Sequence, residues 1–256
     1  MGKIFDIDSP LMHALSKLAD IMWLNILTLI FATPLIVEQM FFFGPVLFGD
    51  YDFEISFVFW AWIFGIICSI PLGPALTAMH YVLLKIVRDE DSYVTKSYFR
   101  SFKENFKQGA ILQVIQFAIG GILLLDYLIT KDSIQIYRYI ALAIAIIAFM
   151  VSLYIFPLLS KFVNTVPKIL RNSALMAIMA LPKTVLMGLV AIIPIVILYF
   201  FDAKALPLLI LLGIAGPGFL QAMLYNNTFK KFEPVEETIS EEEELEAAIK
   251  KIDDTE

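Results

Sequence analysis

Few side chains in this sequence could catalyse a reaction. The two histidines, His13 and His80, lie far apart, and neither belongs to a His-x-x-x-His or Glu-x-x-His pattern that could hold a metal ion. No glycine-rich phosphate-binding loop occurs. Cys68 is the only cysteine, so neither an intrachain disulfide nor a cysteine-based zinc site can form. We therefore expect no enzymatic activity, no catalytic residue, no metal and no cofactor.

The stronger chemical signals are polar side chains inside apolar stretches, because a polar group in lipid needs a partner. Gln113 and Gln116 are three residues apart and share one face of a helix. A candidate polar cavity would be formed by Asp20, Asn25, Gln113, Gln116 and Asn226. These residues could bind a small solute, or they could only form hydrogen bonds between helices, each worth about 0.6 kcal/mol. We favour the second interpretation.

The stretch SYFRSFKENFKQ, residues 97–108, combines aromatic rings with cations at helical spacing. Its phenylalanines follow an i, i+3, i+7 pattern, and its cations follow the same pattern one residue later. The candidate interfacial residues are Phe99, Arg100, Phe102, Lys103, Asn105, Phe106 and Lys107. This pattern predicts a helix in the membrane plane, with rings in the acyl boundary and cations near anionic headgroups. Alternatively, the rings pack against the second membrane span.

The composition indicates that these residues belong to a membrane protein. Hydrophobic residues make up 59% of the 256 residues, and charged residues only 17%. The mean hydropathy is +0.79. A soluble domain is usually about 45–50% apolar and about 25% charged. Several nearly uncharged windows reach the length of about 20 residues that a membrane-spanning helix needs. We predict an all-α, polytopic membrane helix bundle.

Six membrane spans are predicted, near 15–37, 57–76, 109–129, 139–159, 184–201 and 206–225. They form a transmembrane domain over residues 1–231. An acidic cytoplasmic tail follows over residues 232–256, with a helix predicted from Glu241 to Lys251. The tail either is solvated or docks onto the basic cytoplasmic surface or a partner. A nucleic-acid partner is not expected, because this acidic tail lies on the same side as the basic stretch.

The distribution of cations sets the orientation, since Lys and Arg concentrate in cytoplasmic loops. The connections 85–107 and 161–183 are rich in Lys and Arg, whereas 38–54 has none. Both termini should therefore be cytoplasmic, and the protein should reside in the plasma membrane. The connection 161–183 also resembles the aromatic and basic stretch in a looser form, which predicts a second amphipathic cytoplasmic helix.

Two stretches do not fit a simple six-helix arrangement. Residues 55–87 are apolar for about 33 residues, or about 50 Å as one helix, which is too long for a bilayer. Pro71, Gly73 and Pro74 interrupt this stretch and predict a helix break. Residues 40–49 are apolar but too short to span. We predict that they lie in the membrane interface, with a re-entrant loop as the alternative.

One long run resembles a known family. Residues 71–112 (PLGPALTAMHYVLLKIVRDEDSYVTKSYFRSFKENFKQGAIL) resemble the signature of the YesL family, bacterial multi-pass membrane proteins of unassigned biochemical function. The residues that carry the resemblance are Gly73, Pro74, Ala78, Tyr81, Arg88, Phe99, Ser101, Phe102, Asn105, Phe106 and Gln108. Asn25 and Pro34 are similar to the family's first span. The resemblance implies a Gram-positive type of bacterium and a gene setting shared with sugar uptake and polysaccharide degradation.

Two functions are consistent with these observations. The first is a non-enzymatic accessory or scaffold protein of the membrane, associated with carbohydrate uptake or utilisation. Its partners would be anionic lipid headgroups and either a membrane transporter or a second copy of the chain. The alternative is a small-solute transporter that uses the polar residues of spans one, three and six. The sequence names neither a substrate nor an oligomeric state.

Overall fold

A computed structural model describes residues 10–47, 49, 52–90, 93–130 and 135–233. These residues form α-helices and a short 3-10 helix, Asp202–Ala205, with no strand among them. The helices are α1 (Pro10–Leu47), α2 (Ile55–Cys68), α3 (Leu72–Val87), α4 (Val94–Glu104), α5 (Phe106–Thr130), α6 (Gln135–Lys161), α7 (Val166–Met179), α8 (Leu181–Phe201), α9 (Leu206–Leu212) and α10 (Ala215–Phe229). The predicted all-α class is confirmed.

Several of these helices have the length and composition of membrane spans. Four described stretches qualify individually: Pro10–Leu47, Phe106–Thr130, Ile136–Lys161 and Leu181–Leu212. The pair α2 and α3, bent by 61°, adds a fifth if it is counted as one span. The structure is therefore compatible with a membrane-embedded helical bundle of four or five spans, where the sequence predicts six.

The difference in number arises at the end of the bundle. The predicted sixth span divides into α9 and α10, and α9 has only seven residues, about 10 Å. Asp202 has a φ of 48°, which interrupts the long stretch after α8. Pro194 of α8 and Leu208 of α9 line the same cleft. The backbone therefore departs from regular helix at Asp202, and a separate sixth span stays a prediction.

Up to Leu47, the stretch 40–49 belongs to α1, whereas the sequence predicts a segment separate from the first span. The helix α1 continues without interruption through Gly44 and Pro45, so this part of the stretch is the end of α1 and forms neither a separate segment nor a loop. The physical reason is packing against α2. The ring of Phe42 stacks on that of Phe64, with centroids 5.9 Å apart. The Nε2 of Gln39 also donates to the carbonyl oxygen of Ala61 at 3.4 Å.

The predicted helix break lies at the bend between α2 and α3. Neither Pro71 nor Pro74 has an N–H to continue a helical ladder. Gly73 has a different role, because α3 and α5 meet here at the level of their backbones. A Cβ placed on Gly73 would lie 2.1 Å from the carbonyl oxygen of Gly109. One placed on Gly109 would lie 2.8 Å from the nitrogen of Pro74. The contact between α3 and α5 therefore requires glycine on both sides.

The chain divides into two compact units, Met1–Asn226 and Asn227–Glu256. The second unit begins inside α10. After this helix a turn forms, in which the N–H groups of Phe232 and Glu233 donate to the carbonyl oxygen of Phe229 at 2.9 and 3.2 Å. The predicted acidic tail from residue 234 onward, including its helix, lies outside the described residues.

Replacing Gly73 by alanine should destabilise the protein, because the new methyl group would overlap the backbone of Gly109. Overpacking of this kind typically costs about 1–3 kcal/mol. Gly120→Ala is a matched control, since a Cβ at Gly120 meets no atom of the described residues within 4 Å. Thermal unfolding midpoints of both variants in detergent would test the contact. Equal midpoints for the two variants would contradict it.

Candidate functional site

The aromatic residues of α4 pack against α1. Phe31 of α1 stacks on Phe102 with ring centroids 4.3 Å apart, and its centroid lies 6.3 Å from those of Tyr98 and Phe99. Tyr98 is fully buried, and the sequence analysis did not single it out. Its position one helical turn before Phe102 is the signal that could have identified it. The rings thus contact the first predicted span, whereas the sequence analysis considered lipid or the second span.

Not all of the aromatic surface is covered. Phe99 and Phe106 remain 38% and 43% exposed, and both lie beside exposed cations. The stretch is also not one continuous helix, since α4 ends at Glu104 and Phe106 opens α5. Asn105 forms the junction, where its Nδ2 donates to the carbonyl oxygen of Ser101 at 3.0 Å. The side chain of Asn105 therefore stabilises the end of α4.

A groove of about 850 Å³ lies between α1 and α4, and we call it the basic groove. Its charged residues are Asp20 of α1 and Lys96, Arg100 and Lys103 of α4. Arg100 donates from Nε to Oε1 of Glu104 at 2.9 Å, and both side chains are largely exposed. Across the groove, Nε1 of Trp23 donates to Oγ1 of Thr95 at 2.9 Å, which joins α1 to the start of α4.

Asn25 is fully buried and connects α1 to the break between α9 and α10. Its Nδ2 donates to the carbonyl oxygens of Leu209 at 3.3 Å and Ile210 at 2.7 Å. Its Oδ1 accepts from the N–H groups of Ile214 and Ala215, each at 2.7 Å. In a continuous helix, the N–H of Ile214 would bond to the carbonyl of Ile210. One side-chain amide therefore replaces the hydrogen bonds that the break removes.

The C-terminal end of α3 is attached to two other helices. The Asp89 carboxylate pairs with Lys17 and lies 3.3 Å from Nε2 of His13, and both partners belong to α1. The preceding residue, Arg88, donates from Nε to Oδ1 of Asn226 on α10 at 2.9 Å. Asp89 has a φ of 55°, and the N–H of Glu90 donates to the carbonyl of Lys85, which is the pattern of a Schellman cap.

A cleft of about 760 Å³ lies between α1, α2, α5 and α6, and we call it the glutamine cleft. Gln113 and Gln116 of α5 line it, together with Gln39 of α1 and Trp62 of α2. Gln39 and Trp62 are not among the site residues predicted from the sequence. Gln39 was assigned to an external connection, and Trp62 was counted only as an apolar residue of a span. Neither assignment could change without knowing that α1 continues past Val37.

The structure does not bring the five predicted cavity residues together. Gln113 and Gln116 share the glutamine cleft, whereas Asp20 lines the basic groove. Asn25 and Asn226 have the backbone and side-chain partners described above. Within the described ranges, no three His, Cys, Asp or Glu side chains lie close enough to hold a metal ion. Two separate regions, the basic groove and the glutamine cleft, are therefore the candidate sites.

The fold and these sites define an all-helical protein with the features of a membrane-embedded bundle. Residues 21–127 match the model of a family described as "Protein of unknown function, DUF624". The matched stretch contains Asn25, the break at the α2–α3 bend, α4 and most of α5. This part of the chain is therefore similar to an uncharacterised family. No curated protein and no solved structure matches the chain.

The Asp89 contacts should make stability depend on pH. Hydrogen bonds from Lys17 and His13 hold the pKa of the Asp89 carboxyl below its usual value of 3.8. A lowered pKa means that the stabilisation is present above pH 3.8 and is lost as the pH falls through the folded-state pKa. We expect Asp89→Asn to lack this acid-dependent loss, because a side-chain amide does not titrate. Asparagine also tolerates the positive φ at this position.

Unfolding midpoints of the parent and Asp89→Asn, measured between about pH 6 and about pH 3, would test this dependence. The difference between the two proteins should shrink as the pH falls. Asp202→Asn is the matched control, because Asp202 also has a positive φ, of 48°. A constant difference between the parent and Asp89→Asn over this range would contradict a stabilising role for the ionised carboxylate.

Proposed function

We propose that this chain is a non-enzymatic accessory or scaffold protein of the bacterial plasma membrane, with both termini on the cytoplasmic side. In this function, α4 presents its cations and half-exposed rings to a membrane partner beside the anionic leaflet. The observation that carries the proposal is the two-sided structure of α4. One side is buried on Phe31, and the other exposes Phe99 beside Lys96, Arg100 and Lys103.

This arrangement supports a site of contact at the membrane surface. Exposed rings beside exposed cations are typical of helices that bind at the headgroup boundary. Each cation near an anionic leaflet contributes about 1 kcal/mol. Because Phe31 holds α4 from behind, the helix offers a preformed surface, and a partner would not need to order it.

The resemblance to the YesL family suggests what the partner is. That resemblance points to carbohydrate uptake and utilisation, so the proposed partner is the membrane subunit of a sugar-uptake system. A second copy of the chain is the other candidate. Residues 71–112, which carry the resemblance, include the whole of α4.

A second candidate function is small-solute transport. It is favoured by the position of Gln113 and Gln116, which line one cleft together with Gln39. The positions of Asp20, Asn25 and Asn226 do not extend that cleft into a path across the protein. We therefore place transport second.

Replacing Phe99 and Phe106 together by serine should reduce recovery of the partner by about tenfold, because exposed rings at interfaces carry much of the binding free energy. The full-length tagged chain would be purified from its native membrane, and co-purifying proteins quantified by mass spectrometry. The matched control replaces Ile178 and Met179 of α7 by serine, since these residues are 71% and 66% exposed.

Two results would count against the accessory function. One is equal partner recovery by the α4 variant and the α7 control. The other is saturable sugar uptake by the purified protein in liposomes that disappears when Gln113 and Gln116 are replaced by leucine. The second result would establish transport as the function.

A further inference from the structure

The glutamine cleft has a shape that suits an elongated ligand. It follows α5 from Gln113 to Tyr127, a distance of about 21 Å along a helix, and α6 from Ala141 to Ile155 on the opposite side. Its volume of about 760 Å³ lies within the usual range of about 300–1,000 Å³ for ligand pockets. A single hydrocarbon chain matches this shape better than a compact solute does.

The chemistry of the lining selects an uncharged guest. Most of the lining consists of aliphatic and aromatic side chains, and no Asp, Glu, Lys, Arg or His is among the described lining residues. A charged headgroup would lose its hydration here without gaining a counter-ion, which is strongly unfavourable. A neutral headgroup would be accommodated, because several amide and hydroxyl groups line the cleft.

Two polar atoms of the lining residues have no hydrogen-bond partner. Nε1 of Trp62 and Oε1 of Gln116 are both buried, and neither has a partner among the described residues. The Trp62 ring is fixed in place by α5, since a Cβ on Gly121 would lie 1.9 Å from its Cδ1. Gln116 also lines the cleft, and the last torsion of a glutamine side chain has a broad minimum. The two residues thus offer one donor and one acceptor, the pair that a hydroxyl group can satisfy.

We propose that the glutamine cleft binds the chain of an uncharged, single-chain amphiphile that carries a hydroxyl headgroup, with Trp62 and Gln116 facing that hydroxyl. The chemical class is that of a monoacylglycerol or a long-chain alcohol. The site uses α2, α5 and α6 and is independent of the accessory surface on α4, so either proposal can fail without the other.

Tryptophan fluorescence provides a direct test, because Trp62 lines the cleft and bromine atoms quench nearby indoles. Trp23→Phe with Trp60→Phe would leave Trp62 as the only tryptophan of the full-length chain. A dibrominated monoacylglycerol would be titrated into this protein in detergent, with dibrominated phosphatidylcholine and dibrominated stearate as comparison probes. We expect saturable quenching by the monoacylglycerol. Quenching should be much weaker with stearate, which carries a charge, and with phosphatidylcholine, which has two chains and a charged headgroup.

Filling the cleft should weaken the binding that this quenching reports. Gly120 lines the cleft, and a Cβ there meets no atom within 4 Å, so Gly120→Leu can fill the space without a backbone clash. We expect at least a tenfold weaker apparent affinity, estimated as about the loss of two buried methylene contacts. Ala118→Leu, on α5 but outside the lining, is the matched control and should behave like the parent.

A second variant tests the hydroxyl separately. Gln116→Leu keeps the volume but removes the acceptor, and should weaken monoacylglycerol binding by about fivefold, the effect of one hydrogen bond. Linear quenching that never saturates, or equal affinities of Gly120→Leu and Ala118→Leu, would overturn the site. Unchanged binding by Gln116→Leu would overturn the role of the hydroxyl. If Gly120→Leu converted a dimeric parent into monomers, a second copy of the chain would occupy the cleft, and the proposal would also be overturned.

Discussion

The structure depends on one buried amide, that of Asn25. It supplies two donors and one doubly accepting oxygen to four backbone groups at the break between α9 and α10. In a lipid environment, a broken helix is tolerated only where neighbouring groups satisfy the freed backbone, because water cannot do so. A primary amide suits this task because it donates and accepts in one plane. Asn25 therefore attaches the turn before α10, and the first residue of that helix, to α1.

The helices α10 and α3 also contact each other through several side chains. Gly218 of α10 stands close to Met79 and Leu83, where a Cβ would come within 2.9 Å of the Leu83 side chain. The hydroxyl oxygen of Tyr225 lies 3.3 Å from Nδ1 of His80, and Asn226 accepts from Arg88. The backbone contact between Gly73 and Gly109 then attaches α3 to α5. The helices α3 and α10, each with a Gly-Pro pair near its start, thus pack on one another.

The sequence predicted features that local chemistry determines. Pro71, Gly73 and Pro74 marked the bend, because two closely spaced prolines remove two N–H donors from the helical ladder. Asn25 was recognised as a polar residue in an apolar stretch. Its partners could not be predicted, since they lie 184 to 190 residues away. Phe31 looked like any apolar residue until α4 was placed beside it. The continuation of α1 to Leu47 was missed because hydrophobic periodicity shows a helical face but not where the bilayer ends.

Hydrogen exchange of the backbone amides from residue 206 to 218 tests the role of Asn25 most directly. In Asn25→Leu these amides should exchange about tenfold faster or more, because the N–H groups of Ile214 and Ala215 lose their acceptor. Thr28→Val is the matched control, since the buried Thr28 hydroxyl donates to the carbonyl of Leu24 in its own helix and, among the described residues, forms no hydrogen bond with the break between α9 and α10. We expect faster exchange in Asn25→Leu alone. Equal exchange in the parent and both variants would contradict it.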